Sequence, residues 1–311
     1  MKQFTARAYN HFSIDPVKSI LYKKSETDRL ADEIGYYKDI HNTDLSCFFP
    51  RLFRSNIDHS NGHSMGLEYY GYNNLESYNG SWDKVAQKLQ DVLNLFQGYE
   101  SSLDSIKLIE YRKKMYVDKT LHYHKDLIDN FPVFKTINDR QSIKINGQLI
   151  YTFDEIWDSI ERLIDICLIN DNSFSVIHGD MCFSNILYDE DRDIIKFIDP
   201  RGSFGEKGIY GDPLYDVAKL IHSFSGLYEY IIYDKFNVIY NEGSIDYTFA
   251  DDQHIYIKNA FLNHQIFNNV KAKLIEGLIF IGMCSRHYDS LDRQLVMYST
   301  GLKILNGLLV K

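Results

Sequence analysis

The chain has 311 residues, 44% hydrophobic and 25% charged, enough apolar material to pack one large domain or two modest ones and too much for a disordered chain. Its formal net charge is −9 at pH 7, and its longest basic clusters are the pairs Lys23-Lys24 and Lys113-Lys114. That balance argues against a general nucleic-acid binder, which carries a basic stripe.

The first 16 residues, MKQFTARAYNHFSIDP, are polar and lack the apolar core of a secretory leader. The first strand signal is KSILYKKS (18–25), rich in branched and aromatic residues. ETDRLADEIGYYKDI (26–40) reads as a helix, with Leu30, Ile34 and Tyr37 on one face and Ser25 or Thr27 as its cap. HSMGLEYYGY (63–72) reads as a strand running into a turn. From about residue 80 the character changes. SWDKVAQKLQDVLNLFQGY, IEYRKKMYVDKTLHYHKDLIDNF and FDEIWDSIERLIDICLIND are long helical patterns, and IKINGQLIYTF between the last two has an Asn-Gly hairpin turn. A second hairpin follows near 186–198, then mostly helix to the end. The order predicts a small strand-rich part, residues 1–72, followed by a larger helix-rich part, 73–311. The most apolar window, GLIFIGMC (277–284), is too short to span a membrane. Cys47, Cys167, Cys182 and Cys284 form no C-x-x-C pair, which fits a reducing cytoplasm better than disulfides or zinc. The expectation is a soluble cytoplasmic protein; its oligomeric state is not legible.

The chemistry concentrates at VIHGDMCFSN (176–185) and the hairpin NILYDEDRDIIKFID that starts at its last residue. In an antiparallel hairpin, paired residue numbers have a constant sum. Asn185 and Asp199 centre on Arg192, inside the acidic turn, so they should meet at the open end. Asp180 enters the same place from the loop before. Three oxygen-bearing side chains there suit magnesium, and a spare carboxylate can orient or deprotonate a hydroxyl. The plainer alternative is that Asp180 and Asn185 only cap loop backbone.

HGDMCFSN fits H-x-D-x-x-x-x-N, the catalytic-loop pattern of kinase-like phosphotransferases. With the glycine after His178, IDPRG in the place of D-F-G and YGDPLYDVAKL downstream, the sequence resembles the aminoglycoside phosphotransferase and choline kinase family. The resemblance implies an α+β, two-lobed protein-kinase-like fold and an ATP- and magnesium-dependent phosphotransferase, GTP being the alternative nucleotide. The acceptor would be a hydroxyl of a sugar, an amino alcohol or an aminoglycoside, with bacterial surface-glycan metabolism as a setting. It implies Asp180 as catalytic base, Asn185 and Asp199 as magnesium ligands, His178 as a brace and Asp216 as support for the loop.

A kinase also needs a strand lysine held by a helix glutamate. Glu33 lies on the apolar side of its helix, where a carboxylate needs a partner. Lys24, which shares a strand face with Tyr22, is the expected partner, leaving Lys23 on the other face. By resemblance, Tyr22 would stack on the nucleotide base; order along the chain places backbone near Glu68 to Tyr70 at its edge, a plain core strand being the alternative. No glycine precedes Gly35, so a Gly-rich phosphate loop is missing, and AYNHFSIDP would have to cover the phosphates through backbone N–H groups near Ser13. No G-x-x-x-x-G-K-[ST] loop occurs either. Arg201, Asp212 and Lys119 are candidates for the acceptor site. His122 and His124 do not share a helix face and make no metal pair. A nucleotide-binding module of the same fold without turnover is the second reading, resting on the missing glycine loop.

Overall fold

The computed structural model describes residues 10–171 and 173–309. The reading of the first nine residues, including Ala8 and Tyr9 of the phosphate-cover stretch, lies outside them.

The N-terminal sheet has the order β1-β2-β4-β3, built from β1 (Asn10–Asp15), β2 (Ile20–Ser25), β3 (Leu52–Asn56) and β4 (His63–Glu68), all neighbours antiparallel. Helix α1 (Asp28–Ile40) crosses between β2 and β3 and buries Leu30, Ile34 and Tyr37, the predicted face, with Glu33 among them. Thr27 holds its N-cap position, but the Thr27 hydroxyl is engaged by Ser25 at 3.0 Å and not by a helix N–H.

Alternation along β2 sets which lysine faces inward. In the register Lys23↔Met65 and Leu21↔Leu67, Lys23, Met65 and Leu67 are buried, while Lys24 on the other face is exposed. The expected use of Lys24 is therefore corrected to Lys23. Tyr22 moves with Lys24 to the outer face, where the Arg54 guanidinium lies 4.4 Å from its ring centroid and Gly66 leaves room for it. The aromatic on the inner face is Phe12 of β1, paired with Lys23 in the register, with the Lys23 ammonium 5.7 Å from its ring centroid.

The chain then enters a helical body. Strand β5 (Asn73–Asn74) joins the later hairpin, followed by α2 (Trp82–Gln97), α3 (Ser105–Lys113), α4 (Lys119–Asn130) and α5 (Pro132–Asn138). A wide π-type turn, Lys114–Asp118, joins α3 to α4. The Asn-Gly hairpin is β6 (Ser142–Ile145) and β7 (Gln148–Tyr151), with Asn146 and Gly147 at φ 47° and 75°, the left-handed pair such a turn requires. After α6 (Phe153–Ile164) come β8 (Ser175–Val176), the hairpin β9 (Ile186–Asp189) and β10 (Ile194–Phe197), and the short strands β11 (Ser203–Phe204), β12 (Glu206–Lys207) and β13 (Tyr210–Gly211). Helices α7 (Pro213–Phe224) and α8 (Tyr228–Ile232) follow. The region expected to be helical next holds a hairpin instead, β14 (Phe236–Asn241) and β15 (Ser244–Phe249), and β15 runs parallel to β6. Helices α9 (Gln253–Leu262), α10 (Val270–Met283) and α11 (Leu291–Leu309) complete the chain.

One aromatic seam joins the two parts. Phe49, from the segment between α1 and β3, lies 5.9 Å from Phe197 of β10, 6.1 Å from Phe96 of α2 and 6.3 Å from His178, centroid to centroid. All four are buried. Among the described residues no helix is long and apolar enough to cross a membrane.

Candidate active site

The β9–β10 register pairs Ile186 with Phe197 and Asp189 with Ile194, a constant sum of 383. Asn185 therefore lies opposite Ile198, whose N–H donates to the Asn185 carbonyl at 3.0 Å, one residue short of the expected Asp199. Asp199 sits just beyond, at φ 55°, and that left-handed turn redirects it toward the N-terminal sheet.

There it meets the strand lysine. Lys23 Nζ lies 2.6 Å from Glu33 Oε2 and 2.9 Å from Asp199 Oδ1, so one ammonium bridges sheet, helix and the segment after the hairpin. Burial alone would lower the Lys23 pKa; Asp199 and Glu33 more than offset it and hold the ammonium charged. Burial pushes the Glu33 carboxyl up, and Lys23 opposes that push. Gly202 allows the close approach. It has φ 69°, and a Cβ there would run into the backbone of Asp32. Lys207 adds a 2.8 Å ion pair to Asp32.

The catalytic-loop candidates form a second cluster. Asn185 Nδ2 donates to the Asp180 carbonyl at 2.9 Å and approaches its carboxylate at 3.4 Å, which leaves the Asn185 amide oxygen for another partner. Lys219 Nζ lies 3.0 Å from Asp180 Oδ1. Desolvation by the surrounding protein would raise the Asp180 pKa; Lys219, His178 and Arg201 outweigh it and hold the carboxyl well below the usual range. His178 is fully buried, donates from Nε2 to the Ile198 carbonyl at 2.9 Å and accepts the Asp180 N–H on Nδ1 at 3.2 Å. Both bonds require the neutral ring, and burial lowers its pKa to about 4. Asp216 of α7 accepts the His178 and Gly179 N–H groups at 2.6 and 2.8 Å, and burial raises its pKa to about 7 against those two bonds. The far side of the loop is held by buried Glu229, which accepts the Phe183 N–H at 3.0 Å and the Ser223 hydroxyl at 2.9 Å.

The remaining candidates divide. Glu68 ends β4, and its carboxylate accepts the hydroxyl of Tyr70, two residues past the strand, at 2.7 Å. The N–H groups of Glu68 and Tyr69 serve the sheet edge, while that of Tyr70 has no backbone acceptor among the described residues. Asp212 is not available to an acceptor. It is buried, accepts from Arg112 Nε and the Tyr116 hydroxyl at 2.9 Å each, and caps α7 through Leu214 N–H at 3.0 Å. Three internal donors occupy it, so its expected acceptor role is corrected to a helix cap. Arg201 lays its side chain on Gly179, beside Asp180, and donates to the Tyr215 hydroxyl at 3.1 Å. Lys119 opens α4 directly after the π-type turn, its ammonium 5.8 Å from the Tyr215 ring centroid.

Lys23 and Lys219 escape the sequence reading. The signal for Lys219 was present: a lysine three residues after Asp216 in a helix that is otherwise apolar there. One further cluster has metal-ligand spacing among the described residues: Asp28, His59 and His63. His63 Nδ1 accepts the Asp58 N–H at 3.2 Å, so Nε2 carries the proton and donates to Asp28, and the cluster is a hydrogen-bond network.

Asn185 and Asp199 are oxygen donors, the Asp199 side chain is 47% exposed, and this set fits magnesium with water and phosphate as its other ligands.

No protein-family model matches the sequence, and none of the curated proteins does. Solved structures match. The aminoglycoside phosphotransferase APH(4)-Ia is similar with a TM-score of 0.61 over 98% of this chain and 92% of that chain, at 10% identity. A thermostable variant of it, in ternary complex with AMP-PNP and hygromycin B, gives 0.61 over the same shares at 11% identity. An ethanolamine kinase of Plasmodium vivax gives 0.49 over 99% of this chain and 84% of that chain at 15% identity. The two matches at 0.61 show the two-lobed, protein-kinase-like α+β fold. Within it, the chain's fold is similar to that of the aminoglycoside phosphotransferase APH(4)-Ia.

Proposed function

We propose that the protein is an ATP- and magnesium-dependent phosphotransferase that moves the γ-phosphoryl group to a hydroxyl of a small molecule. The observation that carries the reading is the Lys23 ammonium held between Glu33 and Asp199, with Asp180 and Asn185 at the end of the same hairpin. In this reading Lys23 fixes the nucleotide phosphates, and the backbone at Glu68 to Tyr70 meets the purine edge. Asn185 and Asp199 would hold magnesium, which neutralises charge on the β- and γ-phosphates when bound. Asp180 orients the acceptor hydroxyl. The hydroxyl oxygen forms the new bond to phosphorus, its proton passes to Asp180, and the bond to the bridging oxygen breaks to release the nucleoside diphosphate. A carboxylate held so acidic is a weak base, which suits a loose transition state in which the proton moves late. Lys219 keeps Asp180 oriented and adds positive charge beside the transferred group. His178, Asp216 and Glu229 hold the loop in place.

The test is nucleoside diphosphate release with ATP, and separately GTP, in magnesium against sugars and amino alcohols. Asp180→Asn is expected to lower turnover roughly 10²-fold or more. Unchanged turnover in that variant contradicts the assignment. Magnesium-dependent nucleotide binding without turnover against any acceptor favours the binding-module reading that the missing glycine loop supports.

A further inference from the structure

The segment after Asp199 folds into a small hairpin, β11–β12, that touches elements of both parts of the molecule. Its root lies in the helical body, where Phe204 is buried against the rings of Phe174, Tyr215 and Tyr116 at 5.3, 5.5 and 5.9 Å between centroids. Its tip lies on α3 and the π-type turn. Gly205 has φ 76°, a Cβ there would run into the Tyr111 side chain, and its carbonyl accepts from Lys114 Nζ at 2.7 Å. The Tyr111 hydroxyl donates to the Glu206 carboxylate. The second strand reaches α1, where Lys207 pairs with Asp32. The Gly208 N–H closes the hairpin on the Gly202 carbonyl at 3.0 Å.

These contacts adjoin the Lys23 cluster on both sides. Asp32 precedes Glu33 on α1, and Gly202, against the Asp32 backbone, lies three residues after Asp199. Next to the Asp32–Lys207 pair a cleft of about 280 Å³ opens between α1 and the hairpin, lined by Ala31, Gly35, Asp39, Gly202 and Gly208. Helix α1 therefore meets the hairpin at a point and not along its length. The ties differ in kind from the aromatic seam, which is buried: the Lys207 side chain is 71% exposed, and Glu206 is exposed. Exposed ion pairs add little to global stability. They act instead on the position of an element that is already folded.

We propose that the β11–β12 hairpin is a strap that holds α1 against the helical body, with Lys207 and Glu206 as positioning residues that keep Glu33 and Lys23 within reach of Asp199. Its consequence for nucleotide affinity rests on the phosphotransferase reading; the control of α1 by a segment outside the Lys23 cluster goes beyond it. With the ties made, the Lys23 ammonium is shared between Glu33 and Asp199. With them released, α1 moves away carrying Glu33, and the bridge to Asp199 is lost. Because the tip is bonded to α3 and to the π-type turn, a shift of either is carried to α1.

The experiment compares the full wild-type chain with Lys207→Ala, Tyr111→Phe, their double variant and Lys207→Arg. Amide hydrogen exchange of α1 is read without nucleotide, then AMP-PNP affinity in magnesium, then the urea midpoint. Each of the first two variants is expected to speed exchange in α1 and to weaken AMP-PNP about threefold, and the double variant at least about tenfold, with urea midpoints close to wild type. Lys207→Arg keeps the ion pair and should behave as wild type. Unchanged α1 exchange in the double variant overturns the proposal, and so does weaker binding that only follows a loss of stability across the whole chain. A wild-type chain that does not bind AMP-PNP with magnesium defeats the phosphotransferase reading, and α1 exchange then decides the strap by itself. Nucleotide binding by the wild type, with α1 exchange and affinity indifferent to these variants, defeats the strap alone.

Discussion

The smallest decision in the site is which of two adjacent lysines faces inward. Strand alternation allows both faces, and the position of Glu33 demands a lysine without saying which. The register Lys23↔Met65 settles it, because β4 presents Met65 and Leu67 to the core. Removing Lys23 leaves a buried carboxyl without its cation, so Lys23→Ala is expected to destabilise the protein by about 3 kcal/mol. Lys24→Ala should change stability by no more than about 0.5 kcal/mol. Urea unfolding of the two variants measures the difference, and equal effects would reverse the assignment. Lys219 makes a separate case. Lys219→Met should lower kcat roughly 10²-fold with little change in the nucleotide KM, because it acts through Asp180 and not on nucleotide binding. A rise in nucleotide KM with unchanged kcat would exclude that positioning role.

At the scale of elements, the β9–β10 hairpin was legible because its turn is acidic and its flanks are apolar. Its register was missed by one, since Asp199 leaves the strand in a left-handed turn that pairing arithmetic does not include. The β14–β15 hairpin was not legible as strand. Its alternating half-buried pattern draws its stability from pairing with β6, a partner about 100 residues away in sequence. The segment after Asp199 depends on Gly202, where any side chain is strained and meets α1. Gly202→Ala should separate α1 from that segment and weaken nucleotide binding severalfold, measured by titration calorimetry. The loop also has a pH signature. His178 is neutral in the fold, with a pKa of about 4, and titrates near 6.5 when unfolded. Between those values the unfolded chain binds the extra proton, so stability falls as pH drops from about 6.5 to 4, by an upper figure of about 3 kcal/mol. His178→Gln should flatten that part of the stability–pH curve; an unchanged slope would mean that other groups carry it.

Over the whole molecule, the strand-rich part followed by a helical body was legible from chain order, because each element carries its own periodicity. The grouping of the candidate site was legible where one short segment holds its residues, at His178, Asp180, Asn185 and Asp199. It was not legible where residues far apart must meet. Asp212 looked like a pocket acid because nothing near it in sequence reveals that Arg112 and Tyr116 occupy it. Phe12, Lys23 and Glu33 come from the sheet and α1, Asp199 from the helical body, and their meeting is what makes the molecule a nucleotide site in this account. The most direct measurement is the affinity of the intact protein for AMP-PNP with and without magnesium, compared across Lys23→Ala, Lys24→Ala and Asp199→Asn. Magnesium-dependent binding is expected, lost or weakened at least about tenfold in Lys23→Ala and Asp199→Asn and kept in Lys24→Ala. Binding that is indifferent to magnesium and to Lys23 would contradict it.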